Sequence, residues 1–323
     1  MMGTDQKTAL VLGATGGIGG EMARRLAAAG WRVRALHRDP ARRGASDDGF
    51  TWINGDAMRA ADVTAAADGA SLIVHAVNPP GYRNWGQLVL PMVDASVAAA
   101  TAQGARIFLP GTVYNYGPDA FPLVGENAPQ NPVTRKGAIR VEMERRLRKA
   151  VERGAKLLIL RAGDFFGPRS GNTWFAQGLV KPGRPLTRVV NPGRPGIGHQ
   201  WAYLPDVAET ALRLLERADQ LDDAATFHFE GFWDADGAAM AAAIARAVGD
   251  SALPIRRFPW PLLRLAAPFV PLFRELAEMR YLWEQPVRLD NRRLVAFLGE
   301  EPRTGLDEAV RRTLVGLGCL PGA

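Results

Sequence analysis

The segment Leu10-Val-Leu-Gly13-Ala-Thr15-Gly16-Gly17-Ile18-Gly19 sets glycines three apart, after an apolar run and ahead of the helix-periodic Met22, Ala23, Leu26 and Ala27. Glycine lets a chain turn sharply and lets its backbone approach a ligand. The helix end that follows offers free N–H groups and a partial positive charge, so it suits an anion. In a strand–turn–helix context that anion is the pyrophosphate of a dinucleotide. Gly13, Thr15, Gly16, Gly17, Ile18 and Gly19 are the expected phosphate-binding residues. Arg38 closes a second apolar run, Ala35-Leu-His-Arg38-Asp39-Pro40. At that position an acidic residue meets the ribose hydroxyls and a basic one meets the phosphate of a phosphorylated ribose. A guanidinium is a fork of donors matched to phosphate, so NADP is expected over NAD, with the adjacent Asp39 arguing the other way.

The elements that must hold these groups can be traced by periodicity. After a first strand from Ala9 to Leu12, strand-like runs cover 32–36, 50–54, 71–76, 106–109 and 156–160, and helical stretches lie near 85–103 and 137–153. Several of the strands are almost continuously apolar, as befits strands covered on both faces. The alternation predicts an α/β fold, a Rossmann doubly wound parallel sheet. From Gly167 the chain changes to loops such as Pro182-Gly183-Arg184-Pro185 and Pro192-Gly193-Arg194-Pro195-Gly196. A helix capped by Asp206, a short strand over 226–229, and helices over 234–248, 289–297 and 304–317 are expected beyond them. The expected organisation is a dinucleotide-binding domain over 1–170, with 199–224 packing back onto it. A smaller C-terminal substrate lobe comprises 171–198 and 225–323.

Composition narrows the function classes. With 323 residues, 47% hydrophobic and 23% charged, the chain has the make-up of an ordinary globular protein. A single cysteine, Cys319, excludes an internal disulfide and a cysteine-built metal site, and no metal is expected. The first strand follows soon after Met1 with no signal-peptide pattern, so a cytoplasmic location is the expectation. The apolar run from Phe258 to Phe273 is broken by Pro259, Pro261, Arg264, Pro268 and Pro271. It reads as a sticky lobe surface or a dimer contact, not a membrane span, and no membrane partner is expected. The net charge of +7 rests on 35 arginines and five lysines scattered along the chain, so nucleic acid is not an expected partner either.

The glycine spacing, with Thr15 between the first two glycines, resembles that of the short-chain dehydrogenase/reductase superfamily. Segments downstream resemble its extended, epimerase/dehydratase branch: Gly111-Thr112-Val-Tyr114-Asn-Tyr116-Gly117, Leu160-Arg161-Ala162-Gly163-Asp164-Phe165-Phe166-Gly167-Pro168 and Trp201-Ala-Tyr203-Leu-Pro205-Asp206. The resemblance spans essentially the whole chain. It implies that Asp56 and Ala57 approach the adenine, although a simple turn aspartate accounts for Asp56 equally well. It also implies that Ala76 and Val77 run beside the cofactor, with His75 structural, and that Thr112 is the hydrogen-bonding catalytic residue. A homodimer through the helices near 85–103 and 137–153 is a further implication.

The chain departs from the family at the catalytic Tyr-x-x-x-Lys pair. Glu126-x-x-Pro129-x-x-Pro132 and Glu144 fix the register, which puts Lys136 in the place of the tyrosine and Arg140 in the place of the lysine. No tyrosine lies between Tyr116 and Tyr203. Four residues apart on a helix, Lys136 and Arg140 share a face. Arginine does not give up its proton, so Arg140 is expected to clamp the cofactor ribose. Lys136 is either an altered acid–base group or an anion-binding residue in a protein that has lost catalysis. Two functions follow: an NADP-dependent oxidoreductase, epimerase or dehydratase acting on a carbonyl or sugar-nucleotide-like small molecule, or a non-catalytic NAD(P)-binding sensor. Arg184, Arg188, Arg194 and Arg256 are candidate partners for a substrate diphosphate. The aromatic-rich region that includes Phe232, Trp233, Phe258, Trp260, Phe269, Phe273, Tyr281 and Trp283 instead suggests an apolar pocket wall.

Overall fold

A computed structural model describes residues 6–43, 49–79 and 84–322. Its centre is a seven-stranded sheet built from β1 (Thr8–Leu12), β2 (Arg32–His37), β3 (Thr51–Asn54), β4 (Leu72–His75), β5 (Arg106–Gly111), β7 (Lys156–Arg161) and β11 (Ala224–His228), with β6 (Leu123–Val124) lying outside it. The spatial order is β11-β7-β5-β4-β1-β2-β3 and every pairing in it is parallel. Alternate residues supply opposite faces, as a pleated strand requires. Ala9 and Val11 join Val33, Val74, Phe108 and Leu158 on one face, where α1 (Gly17–Ala28), α5 (Leu204–Glu216) and α9 (Arg292–Leu298) contribute Met22, Leu26, Val207, Leu214 and Leu294. Leu10 and Leu12 join Ile73, Ile107 and Ile159 on the other, against α2 (Ala60–Ala66), α3 (Trp85–Gln103) and α4 (Arg135–Val151). The near-continuous apolar strands of the sequence thus serve two cores at once.

The chain winds from β1 through β2 to β3, then returns so that β4 lies on the other side of β1. In doubly wound sheets such a reversal marks the place, beyond the carboxyl ends of the strands on either side (here β1 and β4), where ligands bind.

The second half builds a smaller lobe. Short strands β8 (Asp164–Phe166), β10 (His199–Tyr203) and β12 (Phe232–Asp234) form one sheet, and β9 (Val189–Asn191) pairs with β13 (Ile255–Arg257). A third core gathers Phe166, Phe175, Trp201, Ile244, Trp260 and Leu314 between these strands and α6 (Ala239–Val248), α7 (Trp260–Ala266), α8 (Pro271–Glu278) and α10 (Leu306–Gly316). A fourth cluster, Val113, Tyr116, Val124, Met279, Leu282 and Leu289, lies where β6 pairs with β14 (Arg288–Leu289).

Two expectations need revision. Residues 225–228 lie in the main sheet, paired in register with Leu158–Arg161, and not in the lobe. The α9 helix likewise packs its Leu294 and Leu298 on the main core. Asp206 does not cap α5: the helix starts at Leu204 with Pro205 in its first turn, and the Asp206 carboxylate accepts hydrogen bonds from the Thr304 amide and hydroxyl, both at 2.7 Å. A proline supplies the helix start, since it lacks the N–H that a cap would satisfy. Asp206 instead ties Thr304 to α5.

Candidate functional site

The glycine loop takes its shape from contacts that no side chain would survive. Gly13 has φ +91°, and a Cβ there would lie 2.5 Å from the Ala76 carbonyl oxygen; one on Gly19 would lie 2.3 Å from the Gly13 carbonyl oxygen. The loop from β1 is therefore pressed against Ala76 and Val77 at the end of β4, which brings two of the predicted cofactor segments together. Gly17 opens α1 in contact range of Leu204, and Ile18 packs on the first core. The Gly16 amide donates to Gly13 O at 2.9 Å, Thr15 and Gly16 are exposed, and α1 starts with no side-chain cap and no acidic residue in its first turn. Its terminal N–H groups and partial positive charge face outward, the arrangement that accepts a phosphate.

Around this loop, Arg38 is exposed at the end of β2, while the Asp39 amide donates to His37 Nδ1 at 3.0 Å, which folds Asp39 back. Asp56 follows β3. Its amide donates to Asp62 Oδ2 at 2.9 Å and its Oδ1 accepts from the Met58 amide at 3.0 Å, an Asx turn. Ala57 packs against the second core. The turn role of Asp56 is thus realised.

Thr112 sits directly after β5. Its carbonyl accepts from Arg161 Nη1 at 2.7 Å, and its Oγ1 is buried without a hydrogen-bond partner among the described residues. Beneath it lies a buried polar network. Arg161 and Glu144 form a two-pronged ion pair at 2.9 Å, and Glu144 also accepts from Asn115 Nδ2 at 2.9 Å and Gln130 Nε2 at 3.1 Å. Burial works to raise the Glu144 carboxyl, but the Arg161 charge and these donors outweigh it and hold the group below the usual carboxylate range. Tyr116 is buried within the same network, its hydroxyl 3.3 Å from His228 Nε2, and burial raises its phenol. It is a structural tyrosine. His228, its Nδ1 3.0 Å from Val124 O, is pushed down to about 3, chiefly by burial and then by Arg161.

Lys136 and Arg140 stand one turn apart on α4, whose start is capped by the Thr134 hydroxyl accepting from the Gly137 amide at 3.0 Å. Arg140 lies over the Trp85 ring, 5.3 Å from its centroid, and Trp85 Nε1 donates to Asn78 Oδ1 at 2.5 Å. Arg140 is thereby tied to the loop that leaves β4 beside the glycine turn. His75 is held by Ser96 Oγ at 2.8 Å and pushed down to about 3 by burial and then by Arg140, so it is neutral and structural. Lys136 is only 2% exposed, and its Nζ reaches Glu275 Oε2 at 2.5 Å, Glu278 Oε2 at 2.6 Å and the Glu275 carbonyl at 3.0 Å. Its amide donates to Glu278 Oε1 at 3.0 Å. Sequence reasoning placed Lys136 at the site but not this carboxylate pair; Glu275 and Glu278, three apart on α8, were its only signal. The lobe arginines Arg184, Arg188, Arg194 and Arg256 are exposed and have no ion pair among the described residues. Most of the aromatic residues form packing: Trp283 stacks on His199 at 3.7 Å and meets Trp174, which also touches Phe258 and Trp260.

Comparisons with known proteins agree with this fold. Residues 13–172 match the NAD(P)H-binding family, and this half of the chain is an NAD(P)-binding domain. No curated protein matches the sequence. Among solved structures, a candidate epimerase from Burkholderia cenocepacia J2315 is 20% identical, with 98% of this chain and 99% of that one covered at a TM-score of 0.74. UDP-glucose 4-epimerase from Bifidobacterium longum, in complex with NAD+ and UDP, is 14% identical over 97% and 98% at 0.72. MoeE5, in complex with UDP-glucose and NAD, is 19% identical over 96% and 98% at 0.71. Residues 13–172 are thus of the NAD(P)H-binding family, and the whole chain has the fold of these epimerase structures.

Proposed function

We propose that the protein is an NADP-dependent oxidoreductase of the epimerase/dehydratase type, acting on a carbonyl or sugar-nucleotide-like small molecule with an altered acid–base group. The observation that carries the reading is the buried Thr112 Oγ1, which has no hydrogen-bond partner among the described residues. A buried hydroxyl left without a hydrogen bond costs about 1–3 kcal/mol, and a ligand oxygen at that position repays it. The glycine cradle and the uncapped start of α1 fit a pyrophosphate, and the exposed Arg38 suits a ribose phosphate better than ribose hydroxyls. Bound NAD(P) supplies the hydride acceptor or donor. In this reading Gly13 to Gly19 hold the phosphates, Asp56, Ala57, Ala76 and Val77 flank the cofactor, and Arg140 clamps the nicotinamide ribose. Thr112 Oγ1 donates to the substrate oxygen, and Lys136 Nζ hands it a proton while Glu275 and Glu278 hold the ammonium in place.

One observation favours the second reading, a non-catalytic NAD(P)-binding sensor: Lys136 is already engaged by two carboxylates of the lobe. A screen of carbonyl compounds and sugar nucleotides with NADPH or NADP separates the two. Turnover that falls in Thr112→Val while NADPH binding persists supports the enzyme. No turnover of any substrate, with NADPH changing the affinity for a protein partner, supports the sensor. Homodimer formation through α3 and α4 and residence in the cytoplasm belong to the same proposal, testable by light scattering and by fractionation.

A further inference from the structure

From Ser251 to Arg274 the chain carries four arginines and no aspartate or glutamate. Elsewhere arginines sit beside carboxylates: Arg145 and Arg146 share Glu142, and Arg311 and Arg312 share Glu308. Arg256, Arg257 and Arg264 are exposed and form no ion pair among the described residues, and Arg274 lies 4.0 Å from Glu275. The same stretch exposes its apolar side chains. Leu262 is 67% exposed, Leu265 76% and Phe269 85%, and Ile255, beside the first two arginines, is 52% exposed. On α7 the buried residues are Trp260 and Leu263. At 100° per residue Leu262 and Leu265 fall on the opposite face of the helix. The protein therefore anchors α7 by Trp260 and Leu263 and leaves apolar and cationic side chains of α7 and the flanking residues exposed.

We propose that this α7 surface docks the protein on a lipid bilayer that contains anionic lipid, with Leu262, Leu265 and Phe269 entering the interface and Arg256, Arg257 and Arg264 meeting headgroup phosphates. Apolar residues next to unpaired arginines are the pattern of interfacial segments, in which burial and attraction to anionic lipid add together. A nucleic-acid backbone would use the arginines but leave two leucines and a phenylalanine in water. A second copy docked through the same face would bury the apolar residues but bring the arginines of the two copies together without counter-charges. Among the described residues no helix is long and apolar enough to cross a membrane, so the contact is peripheral. The surface runs on into α8, whose Glu275 and Glu278 hold Lys136.

The test is sedimentation of the full-length protein with vesicles of phosphatidylcholine plus phosphatidylglycerol and with vesicles of phosphatidylcholine alone. The expected result is pelleting with the anionic vesicles that weakens as salt is added. Leu262→Ser/Leu265→Ser/Phe269→Ser and, separately, Arg256→Gln/Arg257→Gln/Arg264→Gln each lower the partition by about tenfold or more. All six side chains are exposed, and unchanged circular dichroism and melting curves certify both variants. No pelleting, or pelleting that neither variant changes, overturns the proposal. So does a dimer that the serine variant alone dissociates, or oligonucleotide binding that the glutamine variant alone abolishes. None of these outcomes depends on whether the protein turns over a substrate.

Discussion

Replacing Lys136 by methionine keeps a long side chain of similar volume and removes one positive charge. Lys136 is 2% exposed, and its partners Glu275 and Glu278 are 22% and 24% exposed. Removing one partner of a buried ion pair costs about 3–5 kcal/mol, because the remaining charge is left without compensation. Here the carboxylates keep some access to water, which screens part of that loss. A destabilisation of about 2–3 kcal/mol is expected. At about 2 °C per kcal/mol for a chain of this size, the melting temperature of Lys136→Met falls by about 4–6 °C. The triple variant Lys136→Met/Glu275→Gln/Glu278→Gln recovers most of this, since neutral amides do not require a counter-ion. The assay is thermal unfolding of the parent, the single variant, the double glutamine variant and the triple variant, read as a thermodynamic cycle. Losses that simply add in the triple variant, or a single variant that melts with the parent, would falsify the cage. The triple variant also separates position from chemistry. If Lys136 supplies the proton, the restabilised protein binds NADPH without turnover; if it only holds α8 in place, turnover returns with stability.

Three further outcomes are expected. Gly13→Ala imposes a left-handed backbone cost of about 1–2 kcal/mol and a clash with the Ala76 carbonyl, so NADPH titrations should show binding lost in a protein that still folds; unchanged affinity would refute the cradle. Thr112→Val lowers kcat by about a hundredfold without weakening NADPH binding, and a rate equal to the parent's removes Thr112 from the chemistry. His75 and His228 are each held near 3, well below the ordinary value of 6.5, so between those limits the unfolded chain binds protons that the folded protein rejects. Stability is therefore complete above about pH 6.5 and falls as pH drops toward 3, by about 1.4 kcal/mol per pH unit for each histidine. Urea unfolding over that range measures the slope, and a flat profile between pH 6.5 and 5 contradicts it.

Much of this architecture is legible in one dimension, for identifiable reasons. Strands buried on both faces leave apolar runs such as Leu72–His75 and Lys156–Arg161 that stand out from helical periodicity. The glycine turn is legible because Gly13 and Gly19 answer a close approach that only glycine permits. What escaped depends on partners far apart in sequence. Ala224–His228 joins the main sheet through β7, some 67 residues earlier, and nothing local announces it. The assignment of Asp206 as a cap failed because Thr304 competes for its carboxylate. The partners of Lys136 lie about 140 residues away, so the sequence shows a lysine in an unusual place but not the carboxylates that hold it.

Calorimetric titration of the protein with NADPH, NADP and NADH, alongside Arg38→Glu, tests the central claim most directly. Tight binding of the phosphorylated forms is expected, with the preference over NADH reduced about 10- to 100-fold in Arg38→Glu, the worth of one or two charge-assisted hydrogen bonds. A parent protein that binds NADH as well as NADPH would overturn the NADP assignment while leaving the cradle intact. Binding of none of the three would contradict the account at its root.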